Sequence, residues 1–291
     1  MISSYWYALA STFIFASCSV VFGHFSNKIS VLWMNSFKAS IALIAFSFAT
    51  YISGGFTRMP ETASLVSFLL SGLVGLNIGD IFLLRAFKSI GSARTLLIFS
   101  FQPIFLGIAA YFIFDQIVTP TKMLAIVFMM ACVFTVSYEK FKLAGRWEIR
   151  GPLYALIGVS LDSVGILLTR YGFNSDANVS VLEGNFYRCL GAIVGFFIFS
   201  RFVPLNLMKS LKELAHKPKA IVITASFMGT FVSLWLYLTA LSRGHLATIA
   251  AIVGTGPIFA AVIEAAISKK WPSKYLFIAF TLFAAGFYLL L

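Results

Sequence analysis

Two cations stand inside stretches that are otherwise apolar. Lys38 lies in VLWMNSFKASIALIAF (31–46) and Arg188 in VLEGNFYRCLGAIVGF (181–196). Each follows an asparagine by three residues, Asn35 and Asn185, so on a helix the amide and the cation share a face. A charge deep in an apolar run costs about 2.5–3.5 kcal/mol unless it meets water or a partner. Two arrangements relieve that cost. Both cations can face a wet cavity, where they attract a carboxylate, a phosphate or a zwitterion. Alternatively they pair with buried acids and pin helices together. Asp80, Asp162, Glu183 and Glu264 all fall within apolar runs and are candidate partners.

Three of those acids, Asp80, Asp162 and Glu264, are also candidates for proton coupling, because burial shifts carboxyl titration toward neutrality. Asp80 follows Gly75 and Gly79, a G-x3-G pair that favours close helix packing. Glu264 comes seven residues after Pro257, where the equivalent place after Pro103 holds Ala110. Pro103 and Pro257 cannot donate a helical hydrogen bond, so each is expected to kink its run and free the carbonyls of Phe99 and Val253. Gly254 and Gly256 lower the cost of bending around the second proline. Tyr187 beside Arg188, and Trp235 with Tyr237, are candidate cavity rings for stacking on a substrate. HExxH, GxSxG, P-loop and dinucleotide patterns are absent, and His24, His216 and His245 lie far apart in the chain. No enzyme chemistry, cofactor or metal site is expected. Cys18, Cys132 and Cys189 sit singly in apolar runs and read as buried free thiols.

The elements that must hold these residues are membrane helices. Of 291 residues, 60% are hydrophobic and 11% charged, against about a quarter charged in a soluble domain. Ten runs long enough to be candidate spans fall near 4–24, 30–52, 63–86, 92–114, 119–138, 151–171, 178–200, 219–241, 244–267 and 273–291. Strand alternation is missing, so an all-helical bundle is expected. The formal charge of +12 belongs to the gaps rather than to a nucleic-acid surface. Sixteen of the 22 Lys and Arg residues fall in gaps after odd-numbered runs and four after even-numbered ones, leaving Lys38 and Arg188. That asymmetry places the odd gaps in the cytoplasm and both termini outside.

The runs also repeat. Tyr7-Ala8-Leu9 matches Tyr154-Ala155-Leu156, VLWMNSFK matches VLEGNFYR, and Pro103-Ile104-Phe105 matches Pro257-Ile258-Phe259. These anchors are 147, 150 and 154 residues apart. Five helices per repeat is an odd number, so the second copy enters the membrane from the opposite side. The expected architecture is two inverted-topology five-helix repeats, 1–145 and 146–291.

This pattern resembles the drug/metabolite transporter superfamily, specifically its ten-helix EamA-type members. The resemblance spans the chain and rests on the paired repeats, the second-helix cations, and the spacing of Ala86, Ala93 and Pro103 against Ala240, Ala247 and Pro257. The stretch LNIGDIFLLRAFKSIGSARTLLIFSFQPIF, which contains Asp80, is close to a form common in that family. Two features depart from it: Asp115 and Lys269-Lys270 stand where members usually carry Glu. Members are often drawn with cytoplasmic termini, opposite to the charge count. The resemblance implies a secondary transporter in a bacterial inner membrane, moving a small polar metabolite such as an amino acid or other zwitterion or anion. Transport would proceed by alternating access, with Lys38 and Arg188 on the anionic end and a proton as candidate coupling ion. The rival reading is a flippase or carrier for a lipid-linked substrate, or a membrane accessory subunit; Arg85, Lys88 and Arg94 offer it basic groups at headgroup level.

Overall fold

The computed structural model describes residues 2–26, 29–144, 149–202, 204–205, 207, 211–212, 214–267 and 273–290. The expected repeat boundary at 145/146 and Lys269-Lys270 lie outside the described residues, as do the side chains of Arg94 and Glu264.

Every regular element among the described residues is helical. The first half runs α1 (Ile2–Ser26), α2 (Val31–Ile52), α3 (Thr62–Ser71), a π-helical segment π1 (Gly72–Gly79), α4 (Asp80–Ile90), α5 (Ser92–Phe99), α6 (Gln102–Phe114) and α7 (Pro120–Ala144). The second half runs α8 (Arg150–Ser175), α9 (Val181–Ser200), α10 (His216–Ser226), π2 (Phe227–Val232), α11 (Ser233–Arg243), α12 (Leu246–Gly254), α13 (Gly256–Ile267) and α14 (Lys274–Tyr288). Among the described residues, six rods are long and apolar enough to cross a membrane, including the continuous Thr62–Ile90 and His216–Arg243. Shorter apolar helices at Gln102–Phe114, Pro120–Thr135, Leu246–Ala260 and Phe277–Tyr288 occupy the places of the other four expected runs.

The halves correspond element by element. In each, the third rod is interrupted by a π segment and the fourth run is broken near its proline. Across the molecule the second rods pack together (α2 on α9), as do the fourth (α6 on α12) and the fifth (α7 on α14). The first rod of each half lies against the third of the other: α1 on π2 and α11, α8 on α3, π1 and α4. A mutual arrangement of this kind buries the apolar faces of both halves in one shared interior.

Two details explain the local shape. At π1 the sequence GLVGLNIG has three glycines and an internal Asn77, a composition that weakens regular α-helical turns. Asn35 Nδ2 donates to the carbonyls of Leu76 and Asn77, both at 3.0 Å, so π1 is held from α2. Asn77 in turn donates to the Ala192 carbonyl of α9 at 2.9 Å. Gly72 is required where α9 crosses, because a Cβ there would fall on the Arg188 carbonyl oxygen.

At the prolines the expected kink is a complete break. Pro103 sits in the first turn of α6 and Pro257 in the first turn of α13, where a missing N–H costs nothing. The breaks are bridged by short i→i+3 bonds: Phe101 N to Ile98 O at 3.2 Å and Ile104 N to Phe101 O at 3.0 Å. Their counterparts are Thr255 N to Ile252 O at 3.1 Å and Ile258 N to Thr255 O at 3.0 Å. The prolines therefore start new half-helices rather than bending old ones.

Candidate functional site

The two breaks meet in the interior, where Ser100 Oγ donates to the Gly254 carbonyl. Beside them lies a cavity of about 110 Å³ lined from both halves. Its wall is mainly apolar, with Phe15, Leu83, Leu96, Phe99 and Val253 among its members. Set into that wall are Lys38, Asp80, Gln102, Asp162 and Tyr237, with small hydroxyls from Ser11, Thr12, Thr230 and Ser233. Gly254, Gly256 and Pro257 bring the second break to the same wall.

The charges are arranged in opposition. Lys38 Nζ lies 2.6 Å from Asp80 Oδ2, joining α2 to the start of α4, with side-chain exposures of 4% and 16%. Lys38 also sits 5.6 Å from the centre of the Phe22 ring. Paired this way, neither charge stands alone in a low-dielectric interior. Asp162 Oδ2 on α8 accepts from Gln102 Nε2 on α6 at 2.7 Å, a bond between the halves. The Tyr237 hydroxyl is buried and has no hydrogen-bond partner among the described residues.

The expected site residues thus divide. Lys38, Asp80, Asp162, Tyr237, Gly254, Gly256 and Pro257 converge on the cavity, while Pro103 stands one residue behind the lining Gln102. Arg188 is not among the lining residues; it is 1% exposed and donates from Nε to Ser71 Oγ at 2.9 Å. Ser71 is tied to Gly165 and Thr169 of α8, so the guanidinium belongs to the packed α3–α8–α9 contact. Asn35 and Asn185 both hold backbone: Asn35 as described, Asn185 by donating to Val181 and Leu234 carbonyls. Tyr187 is buried among Phe68 and Val179, and Trp235 is 41% exposed on the outer surface. Glu183 completes a capping box with Ser180 and accepts from the Phe56 N–H. Arg85 and Lys88 are exposed.

Gln102 was absent from the sequence expectations. Its signal was available, since a lone amide immediately before a proline in an apolar run is as anomalous as a lone lysine. The small hydroxyls had no such signal, because Ser and Thr occur throughout these helices bonded to their own preceding turn, as at Ser36, Ser40 and Ser47.

On the face carrying the loops 53–61 and 176–180, the halves are tied again. Arg58 pairs with Asp176, whose other oxygen accepts from the Glu61 N–H at 3.1 Å. Gln116 of the first half accepts from the Leu246 N–H of the second, while Arg170 donates to the Leu241 carbonyl within the second half.

The repeat seen in the helices is also a repeat of family pattern: residues 2–138 and 149–291 each match the EamA-like transporter family. The chain belongs to that family. An EamA-like chain is a membrane transporter of the drug/metabolite superfamily, so the helices described above are those of an integral membrane protein and the cavity lies within a transport fold. One solved structure, described as "Crystal structure of protein", is similar to this EamA-like chain with a TM-score of 0.79. The likeness holds at 13% identity, over 99% of this chain and 96% of that one, and concerns the fold alone. No curated protein matches the chain.

Proposed function

We propose that this EamA-like protein is a secondary transporter that carries a small zwitterion, of the size and charge of an amino acid, through the cavity between its repeats. The observation that carries this reading is the set of charges on the wall: a cation and two carboxylates, with a phenol that has no hydrogen-bond partner among the described residues, set among Gln102, small hydroxyls and apolar side chains. A purely anionic substrate would have to displace Asp80 from Lys38 and leave that carboxylate unpaired. A zwitterion replaces both partners at once, its carboxylate on Lys38 and its ammonium on Asp80 or Asp162, so no charge is stranded.

In this reading the ten apolar segments all cross the membrane, as two five-helix repeats (1–145 and 146–291) of inverted topology. Pairing of like rods across the molecule supports it. Substrates of inverted-repeat carriers bind near the midplane at broken helices. The half-helices starting at Gln102 and Gly256 rock against α5 and α12, opening the cavity to one side and then the other. The Arg58–Asp176 face is the closed side, and the charge count makes it the exterior. The membrane is a bacterial inner membrane, and a proton is the coupling ion.

The test is uptake into liposomes reconstituted with the purified protein, using labelled zwitterionic, anionic and cationic metabolites of similar size. Saturable uptake of zwitterions in preference to the two singly charged classes is expected. Uptake of the anions or cations alone, or of none, would overturn the proposal.

A further inference from the structure

The two carboxyl groups on the cavity wall are not equivalent. Asp80 has Lys38 at 2.6 Å. Asp162 has no ion pair among the described residues, and its hydrogen bond at 2.7 Å comes from the neutral Gln102 amide. Behind it lies a cation that the cavity does not use. Arg188 is buried, spends Nε on Ser71, and leaves Nη1 without a partner among the described residues.

Gly75 of π1 lies against both. A Cβ built there would lie 3.6 Å from Asp162 Oδ1 and 3.9 Å from Arg188 Nη2. With no side chain at this position, Asp162 Oδ1 and Arg188 Nη2 both come within contact distance of the same point on π1. The other charged or titratable groups facing Asp162 are Asp80 on α4, Lys38 on α2 and Tyr237 on α11. Asp80 and Lys38 offset one another, which leaves Arg188 as the countercharge.

We infer that Asp162 is the proton-exchanging carboxyl of this cavity and that Arg188 is its positioning residue, a fixed countercharge behind Gly75 rather than a substrate ligand. This rests on the transporter reading and narrows it. The proton arrives from cavity water and forms an O–H bond at Oδ1 while Oδ2 keeps the Gln102 bond. On release that bond breaks, the proton returns to water, and the negative charge left behind faces Arg188. Because Gln102 opens the half-helix α6, gain or loss of the proton changes the bond that ties α8 to the moving break.

Carbodiimide modification tests this without any substrate, because dicyclohexylcarbodiimide reacts with protonated carboxyls in apolar sites. The full chain in lipid nanodiscs is treated at mildly acidic and mildly alkaline pH, and the labelled residue is read by mass spectrometry. The label is expected on Asp162, falling as pH rises, and lost in Asp162→Asn. Arg188→Gln removes the countercharge while keeping a side-chain donor beside Ser71 Oγ, and Arg188→Lys keeps the charge. Arg188→Gln is expected to increase the label several-fold, and Arg188→Lys to leave it near the wild-type level. Labelling of Asp80 in place of Asp162, labelling of neither, or an unchanged rate in Arg188→Gln would overturn the inference. Failure of zwitterion uptake would count against the transporter reading while leaving this outcome readable on its own.

Discussion

Ser100 Oγ donates a 2.5 Å hydrogen bond to the carbonyl of Gly254, and the two residues are 154 positions apart, the same offset that separates Pro103 from Pro257. Each is therefore the other's counterpart, and the contact lies where the two repeats relate to themselves. A Cβ on Gly254 would come 3.3 Å from Ser100 Cα, so the breaks touch backbone to backbone. Ser100→Ala should lower stability by about 1 kcal/mol, the scale of a buried interhelical bond in a membrane protein. Thermal unfolding of the purified protein in detergent measures it.

The Lys38–Asp80 pair predicts a non-additive result. Lys38→Met or Asp80→Asn alone strands a buried charge and should cost about 3–5 kcal/mol. The double variant strands none and should recover most of the lost stability. A double-mutant cycle on unfolding temperatures reads the coupling. Additive losses would mean that the two side chains do not depend on each other.

Glycine positions separate packing from function. Gly72→Ala and Gly191→Ala each put a Cβ onto backbone of the facing helix, at Arg188 and Leu69. Both should abolish monodisperse protein on size exclusion, whereas Gly75→Ala, with ordinary contacts only, should not.

Outside the membrane, the Arg58 bond and then the Glu61 N–H hold the Asp176 carboxyl below the usual carboxylate range. A depressed folded value means that the carboxylate stabilises the fold above the unfolded value of about 3.9. That contribution is lost as pH falls through this value toward the folded one. The difference in unfolding temperature between wild type and Asp176→Asn should be constant above about pH 5 and shrink below about pH 4. A difference that grew on acidification would contradict the assigned sign.

Much of the architecture was legible before any coordinates. Lys38 and Arg188, each three residues after an asparagine, announced a repeat, and Pro103 and Pro257 marked where both fourth runs are interrupted. What failed was the direction in which side chains point. Lys38 and Arg188 are matched in sequence, yet one lines the cavity and the other is walled off behind Ser71, Gly72 and Gly75. That difference comes from how closely α9 approaches π1, which only small residues on both sides permit. The π segments also defeat a count of 3.6 residues per turn, because each widened turn rotates the residues after it. Leu76 on π1 and Tyr237 just beyond π2 therefore could not be assigned to a face by periodicity alone.

Counterflow in proteoliposomes preloaded with a zwitterionic substrate compares wild type with the Lys38→Met/Asp80→Asn double variant, which keeps the fold but removes the charges that hold the substrate. Rapid exchange in the wild type and none in the folded double variant is the expected result. Equal exchange in both would show that the charged wall of this cavity does not carry the substrate.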